Sequence, residues 1–472
     1  MRPLYLLCLA LCALAVACIG DDFGDPLPDN TGTEEEDAGE SVEEDVEEGS
    51  GEGEQGWGAG LPEVTDTPCG ELEELESAYE LAHCPYAIDH PGNMTNIYAT
   101  CDTGEASSLP NQIHLTFPHR DASANVAVSW KTGTDNRFSV VRVAESPDAL
   151  ETDAARYFQG HTLQFFGFTD RFMHEVHMCG LPAATTLYYQ VGGGGIWSDT
   201  FSFTTAPEWG DAETEFVFAA TGDTRSDTFE LWAQAAEQIR DSGAQMLLFS
   251  GDAVDAGPVQ AQWDGFYAAG EAALANVPFV PANGNHDLLI DTYFGQLALP
   301  EGEDIYHVRF GNTLVISMTD TTLEPGALRG RYADYLEATL AEHQDATWKF
   351  LVNHRPFYSA STRHGSAEDL QDQWMPILDE YEVDVVFNGH DHNYERTVPI
   401  RNGERVELGR GTIYVVAAGV GAPMYDNGNQ WWTEISEKIP SWCLVRVNGD
   451  RLEYTAYRLD GTEIDSFVWD KS

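Results

Sequence analysis

Residues 383–392 read Val383-Asp384-Val385-Val386-Phe387-Asn388-Gly389-His390-Asp391-His392. A β-branched, apolar run without a basic residue has the character of a buried strand. It ends in a glycine followed by two imidazoles one residue apart, the start of a metal-binding hand. Taken alone such a pair says little, because most histidines are surface or satisfied core groups. The same grammar recurs upstream four times. Phe216-Val217-Phe218-Ala219-Ala220 runs into Gly222-Asp223, and Met246-Leu247-Leu248-Phe249-Ser250 into Gly251-Asp252. Val277-Pro278-Phe279-Val280 leads to Asn283-Gly284-Asn285-His286-Asp287, and Trp348-Lys349-Phe350-Leu351-Val352-Asn353 to His354. Five apolar strands therefore each deliver carboxylate, amide or imidazole groups at their carboxyl ends, where open sheets place their sites.

Around these strands, from residue 215 onward, the pattern alternates. Helix-like periodicity covers 228–240, 259–276, 332–340 and 369–380, and further strands are expected over 306–318, 411–417 and 442–447. About 250 residues suffice for a sheet system flanked by helices with a sizeable core. Upstream, from about 112 to 205, the period changes to two. Short alternating strands at 113–117, 125–130, 138–143, 172–178, 186–191 and 200–204 predict a β-sandwich of roughly a hundred residues. His174 and His177 lie three apart on one of these strands and so point to opposite faces, one to the barrier side and one to the surface of a supporting domain. Gly192-Gly193-Gly194-Gly195 precedes no crossover helix, which excludes a dinucleotide-binding fingerprint. Ala206-Pro207-Glu208 marks the domain boundary.

The amino end has a different character. Residues 1–18 combine Arg2 with a short apolar run, too short and unflanked for a resident membrane helix, and read as an export signal. Ala15-Val16-Ala17-Cys18 resembles a bacterial lipoprotein signal, with Cys18 cleaved and lipidated; the alternative is ordinary cleavage without lipid. The expected location is exported, as a membrane-anchored lipoprotein or a periplasmic or extracellular protein. Residues 19–68 form an acidic, Gly-rich linker with sixteen acidic and no basic residues between 21 and 54, which repels itself and cannot fold. Residues 69–106 form a cysteine-containing extension, with one amphipathic helix expected over 71–82. Export permits disulfides, and Cys69 with Cys84 and Cys101 with Cys179 are candidate pairings that the sequence leaves open, with one cysteine left over; the spacing of the cysteines matches no structural zinc site. With 79 Asp plus Glu against 24 Lys plus Arg, a formal charge of -55, the chain lacks a basic footprint for nucleic acid.

Asp223, Asp252, Asn285, His354, His390 and His392 form a donor set of oxygen and imidazole, suited to two borderline divalent or trivalent ions. A carboxylate can bridge two ions and an imidazole cannot, which makes Asp252 the expected bridge. The ordered motifs resemble the calcineurin-like metallophosphoesterases. Asn353-His354-Arg355-Pro356-Phe357-Tyr358 and Gly389-His390-Asp391-His392-Asn393-Tyr394-Glu395-Arg396 resemble the purple acid phosphatases in particular. That resemblance spans about 107–465. It implies a fibronectin-III-like β-sandwich at 107–206, then an α/β domain at 207–472 with a mixed β-sheet sandwich flanked by helices.

By the same resemblance Asp223 and His392 serve a first ion and Asn285, His354 and His390 a second, with Asp252 shared and iron, zinc or manganese as the metals. His286 would bond the phosphoryl oxygens or help the leaving group, Asp287 would hold the His286 tautomer, and His364 would be a mobile-loop histidine facing substrate. The chain departs from the family twice. Arg225 stands where the purple enzymes have glycine and the wider superfamily often a histidine ligand; it meets either a phosphate oxygen or a local carboxylate. Asp255 stands where the colour-giving tyrosine would be, with Tyr267 and Tyr293 outside the motif, so a protein that is not purple is expected. Asp255 either replaces the missing ligand, directly or through water, or leaves the first ion weak. The implied activity is hydrolysis of small phosphate monoesters by in-line attack of metal-activated water. Phosphodiesterase or nucleotidase activity and a non-catalytic surface metal-binding protein are the competing readings.

Overall fold

The computed structural model describes residues 78–471 other than 82, 90–93, 103, 105, 166–168, 227, 323 and 325. The export signal with Cys18, the acidic linker, Cys69 and the start of the 71–82 segment lie outside the described residues.

Alternating apolar residues build the sandwich as their period demands. One sheet holds Val140–Ala144, Arg156–Gln159, Thr186–Gly193, Ile196–Trp197 and Phe201–Thr204. The facing one holds Met94–Ala99, His161–Phe165, Arg171–Cys179, Asn125–Gly133 and Asn111–Thr116. Val126, Val128, Trp130 and Val176 share a core with Val141, Leu187, Tyr189 and Phe203. The boundary at 206–208 is a boundary of the chain only, because the hydrogen bonding runs on. Thr116 pairs in parallel with Phe279, and the sheet continues through Phe279–Pro281, Leu247–Phe249 and Phe216–Thr221. It then passes antiparallel into Ser441–Asn448, Arg451–Arg458 and Glu463–Asp470, eleven strands in all.

A seven-stranded mixed sheet packs against the carboxyl-terminal part of this one. Its order is Ile305–Phe310, Thr313–Met318, Trp348–Val352, Val385–Asn388, Ile413–Ala417, Tyr394–Thr397 and Thr433–Glu437. Phe218 of the first sheet meets Phe350 and Phe387 of the second at ring-centroid distances of 5.1 and 6.0 Å. Each such fully buried ring contributes roughly 2–3 kcal/mol of transfer free energy. Helices Glu230–Asp241 and Gln260–Leu274 cover the first sheet, with Trp232 on Phe249. Arg331–Glu342, Glu368–Gln373 and Met375–Glu380 supply the apolar side chains that cover the second. The sandwich also grips helix Gln260–Leu274: Lys131 and Arg171 both reach Asp264, at 3.1 and 2.6 Å, and Tyr189 donates to the Ala275 carbonyl.

Several expectations need correcting. The end of the 71–82 segment is a strand, Ala78–Glu80, paired with Ala87–Asp89, because backbone pairing there overrides the helical period. The 306–318 run is two strands, turned at Gly311, whose φ of 59° suits the first position of a two-residue hairpin. The 369–380 helix breaks in two around Trp374, since Pro376 removes an N–H and its ring crowds the preceding turn. Cys84 pairs with Cys179 across 95 residues, a closure of about 4–5 kcal/mol in the chain-entropy picture. Cys101 is also disulfide-bonded, so neither candidate pairing forms, and among the described residues Cys443 is the free, buried thiol. His177 is not at the surface: the extension folds over it, and Tyr86 and Glu175 bond its ring at 2.9 Å each.

Candidate metal centre

The five strands predicted to carry functional residues end at the shared edge of the two packed sheets, three in one and two in the other. Their turns are tight. Asp223, Asp252 and His390 have φ of 56°, 55° and 67°, left-handed conformations that cost about 1–2 kcal/mol each for a residue with a side chain. Glycines let these turns close. A Cβ at Gly284 would run into the Asp252 carboxylate, and one at Gly389 into that of Asp223.

Two clusters of donor atoms result. Carboxylate oxygens of Asp223 and Asp252 and a ring nitrogen of His392 lie within 4.8 Å of one another, all fully buried. The Nδ1 of His392 is 2.6 Å from the Pro423 carbonyl, which fixes the proton there and leaves the Nε2 lone pair facing Asp223 Oδ1 at 3.4 Å. In the second cluster, Asn285 Oδ1 is 3.0 Å from His354 Nε2 and 3.1 Å from His390 Nδ1, and those two nitrogens are 3.2 Å apart. His354 is pinned as His392 is, its Nδ1 donating to the Ser250 carbonyl at 2.7 Å. Asp252 belongs to both: Oδ1 is 3.4 Å from His354 Nε2, while Oδ2 is buried without a hydrogen bond.

Acceptors converging this closely need a cation between them, a proton or a metal. Burial alone would lower the pKa of His354, but Asp252 outweighs it and raises it to about 10, so in the metal-free chain the proton takes that role. Burial and then the neighbouring His354 and His364 keep His390 well below its usual pKa and hence neutral, as a ligand must be. The orphaned Asp252 oxygen and a set free of thiolates fit a borderline or hard metal ion.

The remaining expected residues are brought close in different ways. Asp287 does not hold the His286 ring. Its carboxylate accepts the backbone N–H groups of Asp252, Gly284 and Val254 at 2.8, 2.9 and 3.2 Å, bracing two ligand loops. Burial and then the Asp252 charge push its pKa up. The His286 tautomer is set by the Asp255 carbonyl, 2.8 Å from Nδ1. The Asp255 carboxylate lies outside the donor cluster, 63% exposed, 3.5 Å from Arg225 Nη1 and 3.8 Å from His286 Nδ1. The 255–256 backbone is tied to Gln262, which turns this side chain outward.

Arg225 itself is inside the site. Nη1 bonds His286 Nε2, Nη2 lies 3.3 Å from His392 Nε2, and Nε lies 3.6 Å from Asp252 Oδ2. Burial works against its charge, and Asp252 and Asp223 more than restore it. His364 is exposed, its ring 4.3 Å from that of His390, on a loop joined to the next by Thr362 N–H to Asp426 and Gly428 N–H to Ala360.

Tyr425 carries no signal in the sequence. Its ring stacks on His392 at 4.2 Å, its hydroxyl is 3.4 Å from Arg225 Nη2, and its N–H donates to the His392 carbonyl at 2.9 Å. No motif flags it; only its place after the Gly419 turn connects it to the site. Tyr267 and Tyr293, by contrast, are core residues, 1% and 2% exposed.

Comparison with known proteins agrees with this geometry. The family described as "Purple acid Phosphatase, N-terminal domain" matches residues 110–205, and "Calcineurin-like phosphoesterase" matches residues 216–394. Purple acid phosphatase 21 of Arabidopsis thaliana is 26% identical over 315 residues, 63% of this chain and 69% of its own. Purple acid phosphatase 22 of the same plant is 26% identical over 356 residues, 71% and 76%. The purple acid phosphatase PPD1 from yellow lupin (Lupinus luteus) seeds shares the fold, with a TM-score of 0.65 at 22% identity over 77% of this chain and 74% of that one. The chain is thus a metal-dependent phosphohydrolase of the calcineurin-like, purple-acid-phosphatase type, with that family's amino-terminal domain preceding its catalytic one.

Proposed function

We propose that the chain hydrolyses small phosphate monoesters at a centre of two ions, one held by Asp223, Asp252 and His392, the other by Asn285, His354 and His390, with Asp252 shared. The observation that carries this reading is the position of Asp252, whose carboxylate belongs to the first donor cluster and whose Oδ1 is also 3.4 Å from His354 Nε2 of the second. Iron, zinc or manganese bound there would make hydroxide available near neutral pH and neutralise charge on the transferring phosphoryl group.

The chain's own residues supply the rest. His286 keeps its proton at Nδ1 against the Asp255 carbonyl, so Nε2 is an acceptor directed into the site. His364 stands over His390 on the solvent side, in place to give a proton to a departing alkoxide. Tyr425 walls the site beside His392. An acidic chain disfavours a long polyanion, which points to a compact ester.

The test is to compare p-nitrophenyl phosphate with bis(p-nitrophenyl) phosphate after metal loading and after chelation. Faster turnover of the monoester, abolished by chelation, is expected. Faster diester turnover would replace this reading with a phosphodiesterase or nucleotidase, and no turnover of either with a metal-binding protein. We also propose export with lipid at Cys18; mass spectrometry finding no acyl group on the mature first residue would retire the lipid.

A further inference from the structure

The place where the first ion would bind already holds a positive charge of the chain. His392 has one ring nitrogen committed to the Pro423 carbonyl, so it has a single lone pair, on Nε2. Arg225 Nη2 lies against that atom at 3.3 Å. His286 is in the same condition, its Nδ1 committed to the Asp255 carbonyl and its Nε2 engaged by Arg225 Nη1. A lone pair that accepts an N–H cannot at the same moment coordinate an ion. Arg225 Nε is also buried without a hydrogen-bond partner and faces the equally unmatched Oδ2 of Asp252 at 3.6 Å. The guanidinium is therefore only partly satisfied where it sits.

Among the described residues no guanidinium enters the second cluster, where the donors of Asn285, His354 and His390 face one another and an incoming ion has a proton on His354 to displace but no side chain to move. Resting on the two-ion reading above, we infer that Arg225 and the first ion are alternative occupants of one place. Ion entry must displace the guanidinium from His392, so the occupancy of the first place is set by Arg225. The device follows from this chain's Gly222-Asp223-Thr224-Arg225, where a long cation three residues after the glycine turn folds back onto His392.

The experiment titrates manganese into the metal-stripped protein by calorimetry, with elemental analysis for stoichiometry and electron paramagnetic resonance to separate single from paired ions. Wild type should take up two ions. Arg225→Ala and Arg225→Met, which remove the charge and the N–H groups, should each tighten one ion at least tenfold and leave the other unchanged, which also reports that the variants fold. Two ions of unchanged affinity in the variants would overturn the inference and leave the two-ion centre standing, as would loss of one ion on removing Arg225. No ion bound to any of the three proteins would overturn both.

Discussion

The sandwich and the catalytic domain each carry a close pair of histidines, His174-Glu175-Val176-His177 in one and His390-Asp391-His392 in the other, and all four are largely withdrawn from solvent. In the sandwich, His174 lies flat on Trp130 with rings 4.9 Å apart, bonded to the hydroxyls of Thr132 and Ser139. Burial lowers its pKa to about 3. At the metal centre, His354 is just as buried, yet the Asp252 carboxylate beside it reverses the direction of the shift. Burial alone makes a histidine a neutral core residue. What sets His354 and His392 apart is a backbone carbonyl fixing one nitrogen while the other meets a carboxylate or amide from a different strand.

The largest effect should come from removing the group on which that difference turns. Asp252→Asn keeps the shape and discards the charge that both donor clusters share. The kcat/KM for a phosphomonoester should fall at least about a thousandfold, roughly 4 kcal/mol of transition-state stabilisation. Elemental analysis should show one ion or none. Two ions and near-normal turnover would remove Asp252 from its shared position and dissolve the contrast between the domains.

The sandwich side can be tested by pH. His174 titrates near 6.5 when unfolded and about 3 when folded, so below 6.5 the unfolded chain binds the extra proton. Stability from this group is therefore intact above 6.5 and lost as pH falls toward 3, by about 1.4 kcal/mol per pH unit. Thermal scans from pH 7 to 4 should show this slope, and in His174→Leu the slope should be shallower although the variant starts less stable. An imidazole resonance of His174 that titrates near 6.5 in the folded protein would show that the stacked site admits charge.

The same contrast explains what was legible in the sequence. The strands ending at Asp223, Asp252, Asn285, His354 and His390 stand out because apolar runs and terminal glycines are local signals, and each is a strand in the structure. Sheet membership is not local. Nothing in Thr116 or Phe279 announces that they join sandwich and catalytic sheet, and nothing at Cys84 selects Cys179. Side-chain direction is harder still. The expected Asp287–His286 contact failed because three backbone amides captured the carboxylate first, and Asp255 turned outward because Gln262 tied its backbone. Arg225 was visible as a departure from family pattern, but its contact with His392 depends on a fold that brings residues 167 apart together.

The smallest effect is expected at Tyr425, the residue that only the fold reveals. Its hydroxyl approaches Arg225 and its ring covers His392, which sets it beside the first donor cluster, whereas Tyr267 and Tyr293 are packed in the core. If Asp255 has displaced the tyrosine that would colour the protein, a ferric-loaded sample should show no intense visible band, because carboxylates and imidazoles lack the low-energy charge transfer of a tyrosinate. Tyr425→Phe removes the long hydrogen bond to Arg225 and keeps the stacking ring, so kcat should change by no more than about threefold, under 1 kcal/mol. Visible spectra of ferric-loaded wild type and Tyr425→Phe decide the matter together with the rates. A strong band in the wild type that vanishes in the variant would make Tyr425 a ligand supplied from outside the motif, and the first donor cluster would then hold four groups from this chain instead of three. A band that survives the substitution would exclude Tyr425 and require another phenolate to reach the ion.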